Sequence, residues 1–387
     1  MITYKYKLYK THRFKYLDKM LAEACFVWNH ALALQKRHYR LYGTYINKNE
    51  MRRHFSRRYK RIYIHVHVMQ EIIERLDKSY IAFFKNSSKR PPKYKKNQYF
   101  SSLVFSINNV NGKRYLDDSK LCENVISFSR IKRKFYFYKD RNYEGNIRRV
   151  ILKRNRLGEY FIYVVTDTEP RPYGKSHNGA SIGIDFGLKT YLTLSDGTRY
   201  ENPQYMKESL MELRRRSRNL SKCKKGSNNK ERKRKELDRL WNDICNKRDD
   251  FQWKLAHELC RKYDNIFIED LNLSDMKLGR KANRKLKDQA HAKFILKLQH
   301  IASKYGVVVH KIDRYYPSSK ACTCGYINKE LKLSDRVWTC PYCGETHDRD
   351  ILAANNILRQ GIVELESGSK TSKHSAEGQS RLYSTIS

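Results

Sequence analysis

Two short apolar segments in the second half of the chain each end in a carboxylate, and this pattern constrains the fold more than any other feature. An apolar strand over residues 180–187 carries Asp185 near its end, and a second strand over 265–270 carries Glu269. Helical patterns lie between these strands and after them. Strands that alternate with helices predict an α/β layer, in which helices cover a sheet.

A third acidic residue, Asp350, lies in the first turn of a helical pattern over 348–359. Hydrolysis of a phosphodiester needs an activated water and a stabilised leaving oxygen, and two divalent cations held by carboxylates supply both. Mg²⁺ prefers oxygen ligands and keeps several waters, so a few acidic side chains suffice. Each carboxylate alone is more often a surface group. The order strand-Asp, strand-Glu, helix-Asp nevertheless resembles that of the RNase H-like nuclease fold.

The segments around these carboxylates resemble the three RuvC motifs of the TnpB family, compact RNA-guided DNA nucleases encoded by transposons and related to type V CRISPR effectors. The matching segments are 183–189 (GIDFGLK), 268–272 (IEDLN) and 347–350 (HDRD). Segments 313–320 (DRYYPSSK) and 26–29 (FVWN) also resemble this family. The resemblance extends over roughly residues 1–360.

This resemblance implies that Asp185, Glu269 and Asp350 are the catalytic residues and bind two Mg²⁺ ions. Asp348 competes for the third role, and Asp350 is preferred because the family uses the second aspartate of this pair. Asp270 is expected to support the site without being a primary ligand.

The chain departs from the family pattern at two positions. Leu352 stands where an Asn is usual, two residues after the last aspartate. Trp253 stands where the helix before the Glu strand often carries a His. Neither change removes an expected metal ligand.

Nine cysteines are present, and four of them fall within a short stretch near the C-terminus. An odd number with such clustering favours a metal site in a reducing compartment over a disulfide framework. The candidate ligands of one structural Zn²⁺ are Cys322, Cys324, Cys340 and Cys343. Gly344 follows the second pair and permits the tight bend of a zinc knuckle. One residue separates the first pair, where the family has two. His347 is an alternative ligand, and a metal-free ribbon packed around Trp338 is the other interpretation.

The formal net charge of +41 over 387 residues indicates a polyanionic partner, and a long nucleic acid fits best. Hydrophobic residues make up 40% of the chain, so a basic disordered tail does not describe it. No apolar run reaches the ~18 residues of a membrane helix. The first residues lack the apolar stretch of a signal peptide. A secreted or membrane protein is therefore not expected.

Basic and aromatic residues alternate in the first half, where cations can neutralise phosphates and rings can stack on bases. The resemblance implies that this half holds a guide RNA paired with target DNA. Candidate contacts are Arg52, Arg53, Arg57, Arg58, Lys60 and Arg61.

The predicted fold class is α+β and multidomain. It comprises an N-terminal helical recognition lobe, a β-barrel wedge domain, and an RNase H-like (RuvC) α/β nuclease domain with an inserted zinc ribbon. A period of two in the hydrophobic pattern over about 100–168, with a turn at Asn111–Gly112, predicts the wedge strands. The predicted boundaries are 1–12 and 96–172 for the wedge, 13–95 for the recognition lobe, 176–320 and 345–363 for the nuclease domain, 321–344 for the ribbon, and 364–387 for a disordered tail.

The resulting functional prediction is an RNA-guided endonuclease of double-stranded DNA that uses guide RNA, Mg²⁺ and Zn²⁺. Three alternatives remain open: an RNA-guided DNA-binding repressor without nuclease activity, a type V CRISPR effector, and a conventional transposase. The expected location is the cytoplasm or nucleoid of a prokaryote, or the nucleus if the source is a eukaryote or its virus.

Overall fold

The structure is a computed structural model. It describes residues 1–86, 90–106, 124–128, 131, 133–169, 172–174, 177–187, 189–270, 288–332 and 335–367. The chain divides into two compact units, Met1–Pro170 and Arg171–Ser387.

The described residues of the first unit include three helices: α1 (Phe14–Tyr42), α2 (Lys48–Arg58) and α3 (Val66–Lys85). Apolar residues at spacings of three and four give α1 a buried stripe that includes Leu17, Leu21 and Trp28. The side chain of Asn47 caps α2 by accepting hydrogen bonds from the first-turn N–H groups. The basic stretch over about residues 35–80, whose pattern indicates helix, thus contains α2 and much of α3.

The strands of the first unit are β1 (Ile2–Lys7), β2 (Ser102–Ser106), β3 (Val125–Phe128), β4 (Arg133–Tyr136), β5 (Ile147–Arg154) and β6 (Tyr160–Thr166). Four of them form an antiparallel sheet in the order β1-β6-β5-β2, and β3 and β4 form a separate hairpin. The predicted turn at Asn111–Gly112 lies outside the described residues.

The prediction of a closed β-barrel is wrong for the described part of the first unit. β1 and β2 are the edges of the sheet and do not pair with each other, and the hairpin reaches β1 only through a bridge between Leu8 and Phe137. Helices α1 and α3 contact β2 instead, and buried residues of the helices and the sheet form one hydrophobic cluster. Since helices bury the apolar face of the sheet, a second closing sheet is unnecessary.

The second unit contains a five-stranded mixed sheet in the order β11-β10-β7-β8-β9. Its strands are β7 (Ser181–Asp185), β8 (Thr190–Leu194), β9 (Arg199–Glu201), β10 (Asn265–Glu269) and β11 (Val308–Ile312). β7, β10 and β11 run parallel, whereas β8 and β9 pair antiparallel. Both strands that were predicted to end in carboxylates therefore lie side by side in the sheet.

The helices of this unit are α4 (Tyr205–Glu208), α5 (Leu210–Ser221), α6 (Asn228–Lys262), α7 (His291–Tyr305) and α8 (Arg349–Glu366). Side chains of α6 and α7 bury one face of the sheet, including Ile182 and Ile184 of β7. α8 covers the other face, where Phe267 and Ile312 meet Ile357. α5 and α6 pack against each other as a helical hairpin, in which Trp241 of α6 is 39% exposed.

Two glycines let α8 lie directly against the sheet. A Cβ on Gly183 of β7 would meet the carbonyl oxygen of Ala354 at 2.1 Å and the amide nitrogen of Leu358 at 2.7 Å. A Cβ on Gly361 of α8 would come within 2.0 Å of the Phe267 ring. Such contacts leave no room for a side chain, so these two positions set the position of α8 on the sheet.

A small hairpin, β12 (Val337–Thr339) and β13 (Thr346–Asp348), precedes α8. Trp338 and Leu331 form its small core together with Cys322, Cys340 and Leu352. α8 runs to Glu366, so the prediction of disorder is wrong for residues 364–366, and 368–387 lie outside the described residues. Within the described chain, no helix is long and apolar enough to cross a membrane.

Candidate active site and cysteine cluster

The structure brings the three predicted carboxylates to the carboxyl ends of β7 and β10 and the start of α8. Asp185 ends β7 and Glu269 ends β10. These strands are parallel, with Ile184 opposite Ile268, so the residue that follows each lies at the same edge of the sheet. Asp350 is the second residue of α8, and its charge acts on Asp185.

The electrostatics of this edge are unfavourable for negative charge. Burial raises the pKa of Asp185 to about 7, and the charges of Asp350 and Glu269 add to the effect. Arg349 opposes this shift more weakly. Burial also raises the pKa of Glu269. A cation would offset this repulsion, because carboxylates with raised pKa values regain their charge beside a positive ion.

Asp348 and Asp350 make different contacts. Asp348 caps α8: its Oδ1 accepts hydrogen bonds from the N–H groups of Asp350 and Ile351, both at 3.1 Å. Its Oδ2 accepts from Arg199 at 2.7 Å. Burial works against ionisation, but the bond with Arg199 and the helix N–H groups hold the pKa of Asp348 below its usual range. Asp350 instead accepts from Arg336 at 3.0 Å. Asp348 is therefore engaged in holding the helix.

Asp270 directly follows Glu269 in the chain, but its side chain forms ion pairs with two basic residues. Its two oxygens accept from Lys311 at 3.0 Å and from Arg314 at 2.8 Å. The hydrogen bond from Lys311 lowers the pKa of Asp270, burial opposes it, and Arg314 adds to the lowering. Two cations thus neutralise this carboxylate within the protein.

The oxygen ligands at the sheet edge suit Mg²⁺ in kind, and their raised pKa values show a need for positive charge. Their spacing is looser than in the cysteine region. Among the described residues, groups of three or more His, Cys, Asp or Glu ligand atoms within 4.8 Å of one another occur around Cys322. The cluster of Asp185, Glu269 and Asp350 is not one of these sets.

A buried polar network that the sequence pattern missed holds the loop after β7. Gln289 donates through Nε2 to the carbonyl oxygen of Gly187 at 2.8 Å, and Gln252 donates to the carbonyl oxygen of Gln289 at 3.0 Å. Lys297 donates to Oε1 of Gln252 at 2.9 Å and to Asp249 at 2.6 Å. The apolar stripe of α6, which includes Leu255 and Leu259, indicates packing alone. The available signal was Gln252, a polar residue on the same helical face as the buried leucines.

Four sulfurs gather between the hairpin β12–β13 and the turn before it. Cys322 Sγ lies 3.5 Å from Cys343 Sγ, and Cys324 Sγ lies 3.7 Å from Cys340 Sγ. A tetrahedron with Zn–S bonds of about 2.3 Å has edges of about 3.8 Å, so the spacing fits zinc.

A glycine with positive φ follows each cysteine pair, and it gives the two loops the same turn despite their different lengths. Gly325 has φ 91° and Gly344 has φ 75°. The short spacing between Cys322 and Cys324 therefore does not prevent their sulfurs from joining the set.

The thiols cannot all ionise without a cation. The backbone N–H of Glu345 lowers the pKa of Cys343, but burial and the neighbouring sulfurs raise it to about 12. Burial opposes ionisation of Cys322, yet hydrogen bonds that include His347 lower its pKa to about 5. His347 is buried with Nε2 at 3.0 Å from Cys322 Sγ, and Cys322, Glu345 and His347 form a second possible ligand set.

The basic candidates of the first unit differ in their surroundings. Arg52 donates to Glu74 at 2.7 Å and is only partly exposed, so it stabilises the α2–α3 pair. Arg61 is also partly buried. The remaining four candidates are exposed: Arg53, Arg57, Arg58 and Lys60.

The carboxylate of Glu23 on α1 organises the loop that follows these basic residues. It accepts three backbone hydrogen bonds, from Ile62 at 2.8 Å, Tyr63 at 2.6 Å and Ile64 at 2.9 Å. No local pattern indicates this contact, because Glu23 lies on α1 about 40 residues before its three partners.

Comparisons with known structures define the class of fold. A Cas12f1–sgRNA–target DNA complex matches 90% of this chain and 83% of that chain, with a TM-score of 0.56 and 16% identity. The mini-RNA-guided endonuclease CRISPR-Cas_phi3 matches 93% and 92%, with a TM-score of 0.50 and 10% identity. At such identities the likeness concerns the fold alone: a multidomain α+β architecture of the Cas12f and Cas-phi type.

Sequence comparisons support the resemblance inferred from the motifs. Residues 163–294 match the family described as "Probable transposase" (OrfB_IS605), and residues 291–357 match the "Cas12f1-like, TNB domain" family. Together with the relatives named below, these two matches confirm the resemblance to the TnpB family.

Relatives come from bacteria and from a virus. A "Putative RNA-guided DNA endonuclease" of Streptomyces pristinaespiralis is 34% identical over 55% of this chain and 53% of its own length. The "Putative RNA-guided DNA endonuclease InsQ" of Escherichia coli K12 is 29% identical over 59% and 60%. "TnpB-like protein L79" of Acanthamoeba polyphaga mimivirus is 29% identical over 53% and 41%. The matched region thus spans about half the length of these curated relatives.

Proposed function

We propose that this protein is an RNA-guided endonuclease that cuts double-stranded DNA by metal-assisted hydrolysis. The observation that carries the proposal is the cluster of Asp185, Glu269 and Asp350 at the ends of β7 and β10 and the start of α8. Burial and repulsion raise the pKa of Asp185 there to about 7. A stable protein tolerates such a group where a cation or a reaction uses it. The names of the relatives support the RNA-guided activity.

In this proposal Asp185, Glu269 and Asp350 of a RuvC-like site hold two Mg²⁺ ions. Bound Mg²⁺ supplies an activated water and stabilises the leaving oxygen of a phosphodiester. Asp348 fixes the first turn of α8 and thereby the position of Asp350. Arg336, which pairs with Asp350 in this structure, would leave its carboxylate when the metal binds.

We propose a structural role for one Zn²⁺ held by the four cysteines. All four positions of a tetrahedral site would be filled, so no position remains for a water or a substrate. The ion would stabilise the ribbon of residues 321–344, because this segment has a hydrophobic core of only a few side chains. The zinc ribbon precedes α8 in the chain, and Leu352 of α8 packs into the small hydrophobic core of the ribbon.

The guide RNA and the target DNA are the proposed partners. The net charge of +41 requires a polyanion, and the exposed arginines of α2 lie in the unit that would bind it. The printed description of the Cas12f1 complex includes an sgRNA and target DNA, which supports the same assignment for a chain of this fold. Pairing of the guide with one strand would then select the sequence to be cut.

A conventional transposase is the second candidate, and the description "Probable transposase" of the matching family favours it. It would cleave and join transposon ends without a guide RNA. The retained carboxylates favour a nuclease over a repressor without activity. A CRISPR effector would differ in the origin of its guide.

The deciding experiment is to purify the protein from cells that express its native locus and to sequence the bound RNA. The complex is then incubated with a DNA library and Mg²⁺. We expect one discrete RNA and cleavage of DNA that matches its 5′ or 3′ end. Asp185→Ala should abolish cleavage, whereas Asp250→Asn, a change at an exposed ion pair on α6, should not. Joining of DNA ends without RNA would identify a transposase and contradict the proposal.

A further inference from the structure

A cleft of about 470 Å³ lies in the first unit, beside the edge strand β1. It is lined by Lys5, Tyr6, Lys7, Tyr138, Asp140 and Phe161. Because side chains alternate along a strand, the two lysines of β1 are exposed while Tyr6 between them is buried. The cleft has a volume in the range of small-ligand sites. No candidate residue from the sequence lies in it.

The walls of the cleft are aromatic and rigidly held. Tyr138 follows β4, and its backbone N–H donates to the carbonyl oxygen of Lys7 at 2.8 Å. Its ring is 51% exposed and lies 4.0 Å, centroid to centroid, from the ring of Tyr9, which is 42% exposed. Phe161 lies on the neighbouring strand β6, directly opposite Lys7. The two rings meet edge to face at an interplanar angle of 63°, so a base would stack on the half-exposed Tyr138 ring alone.

The charged side chains of the cleft are two lysines and one aspartate. The Lys5 ammonium lies 4.9 Å from the Phe161 ring centroid, and Lys7 forms an ion pair with Glu159. Asp140 is exposed at the other side, near the Tyr6 hydroxyl. Lysines beside rings suit a ligand that has both a flat π-face and an anionic group. A nucleotide has both, and the Asp140 carboxylate can accept a hydrogen bond from an amino group on its base.

We propose that this cleft binds one unstacked nucleotide of a single-stranded nucleic acid. The base stacks on Tyr138, the adjoining phosphate lies beside Lys5 and Lys7, and Asp140 favours bases that carry an amino group. The inference rests on the proposed function, in which the chain binds RNA, and it names the place where one RNA nucleotide leaves the stack. A nucleotide of a single DNA strand has the same chemistry, and the experiment distinguishes the two sources.

The test is photocrosslinking of the purified protein–RNA complex, in which the RNA carries 6-thioguanosine, a photoreactive base that keeps an amino group, followed by mass spectrometry of the modified peptides. We expect adducts on Tyr138, Phe161 or Lys5 before any DNA is added. Adducts that form only with a thiolated DNA strand in the target complex would assign the cleft to DNA. Adducts confined to residues outside the cleft in both experiments would overturn the proposal.

Affinity provides the second readout, with matched variants and 12-nucleotide single-stranded RNA and DNA of the same sequence. Loss of one stacked base should weaken binding about tenfold in Tyr138→Ala. Tyr138→Phe keeps the ring and should bind like the parent protein. Tyr99→Ala removes a more exposed ring elsewhere in the unit, 71% exposed against 51% for Tyr138, and should have little effect. Equal affinities of Tyr138→Ala and Tyr99→Ala would overturn the proposal.

The salt dependence separates stacking from charge. Lys5→Gln should reduce the slope of log affinity against log salt by about one contact, whereas Tyr138→Ala should leave the slope unchanged. Failure of the proposed function has a different signature. A parent protein that crosslinks RNA in the cleft but cuts no DNA retains this inference and loses the nuclease assignment. A protein that cuts DNA with its guide RNA but forms no adducts in the cleft retains the nuclease assignment and loses this inference.

Discussion

The carboxylates of Asp185, Glu269 and Asp350 and the cysteine cluster belong to the same unit, but their ligand atoms differ in how closely they are gathered. The sulfurs already lie 3.5 and 3.7 Å apart, close to the edges of a zinc tetrahedron. Hydrogen-bonded turns with Gly325 and Gly344 hold them there. The carboxylates lie on three separate elements, and their ligand atoms are not gathered within 4.8 Å.

This difference follows from what holds each set of ligands. Thiols with a raised pKa, such as those of Cys324 and Cys343, can approach the Cys322 sulfur in a short ribbon. Ionised carboxylates repel one another, and Asp350 pairs with Arg336. We therefore propose that zinc at the cysteine cluster would stabilise the fold, whereas a cation at Asp185, Glu269 and Asp350 would offset their repulsion. Four measurements test this contrast.

The largest effect is expected from Asp185→Asn on cleavage. Loss of one metal-binding charge should lower the cleavage rate by about a thousandfold or more. Thermal stability in EDTA should not fall, because the change removes repulsion with Asp350 and Glu269. Gel assays of cleavage and thermal melts check the two halves. A variant that loses activity and melts earlier would mean that Asp185 has a structural role.

Cys340→Ser should have the opposite profile. Zinc content, measured by atomic emission, should drop from about one to near zero per chain, and the ribbon should lose several kcal/mol of stability. Cys223→Ser, at a partly exposed cysteine outside the cluster, is the matched control. Parent protein that contains no zinc after expression in zinc-supplemented medium would favour a metal-free ribbon.

Gly183→Ala tests how closely α8 must lie on the sheet. The added methyl would overlap the backbone of Ala354 and Leu358, so we expect a loss of about 3 kcal/mol in the free energy of unfolding. Gly174→Ala has open space around its Cβ and should be neutral. Chemical denaturation measures both. A neutral Gly183→Ala would show that α8 can shift, and Asp350 with it.

The most gradual effect is a pH dependence of the free energy of unfolding in EDTA. The pKa of Asp185 rises from 3.8 to about 7 on folding, so the unfolded chain ionises first as the pH increases. Stability should therefore fall between about pH 4 and pH 7, by at most about 4 kcal/mol at 1.4 kcal/mol per pKa unit. Asp185→Asn should lack this component, and Mg²⁺ should reduce it in the parent protein. If stability depends on pH in the same way in the parent protein and in Asp185→Asn, the assignment of the raised pKa to Asp185 is contradicted.

The sequence predicted those parts of the second unit that depend on local pattern. Apolar runs that end in Asp185 and Glu269 became adjacent strands, and the segment around Asp350 became the start of α8. The cysteine spacing predicted the cluster, although the short interval between Cys322 and Cys324 suggested a poorer match than the geometry gives.

The sequence did not predict contacts between elements far apart in the chain. Nothing local to Gln252 and Gln289 reveals that they support the Gly187 loop, and nothing local to Arg336 reveals its pairing with Asp350. The barrel prediction was wrong for the same reason. Alternating residues identify strands and their buried faces, but what covers those faces depends on the helices.

The two glycine contacts of α8 also limit where this chain can change in length. Gly183 fixes the helix at Ala354 and Leu358, and Gly361 fixes it again at Phe267. A single residue inserted between Asp350 and Ala354 would turn the carboxylate about 100° around the helix axis, away from the strand ends. Length variation is therefore expected in loops and at the chain ends, while the first two turns of this helix keep a constant residue count.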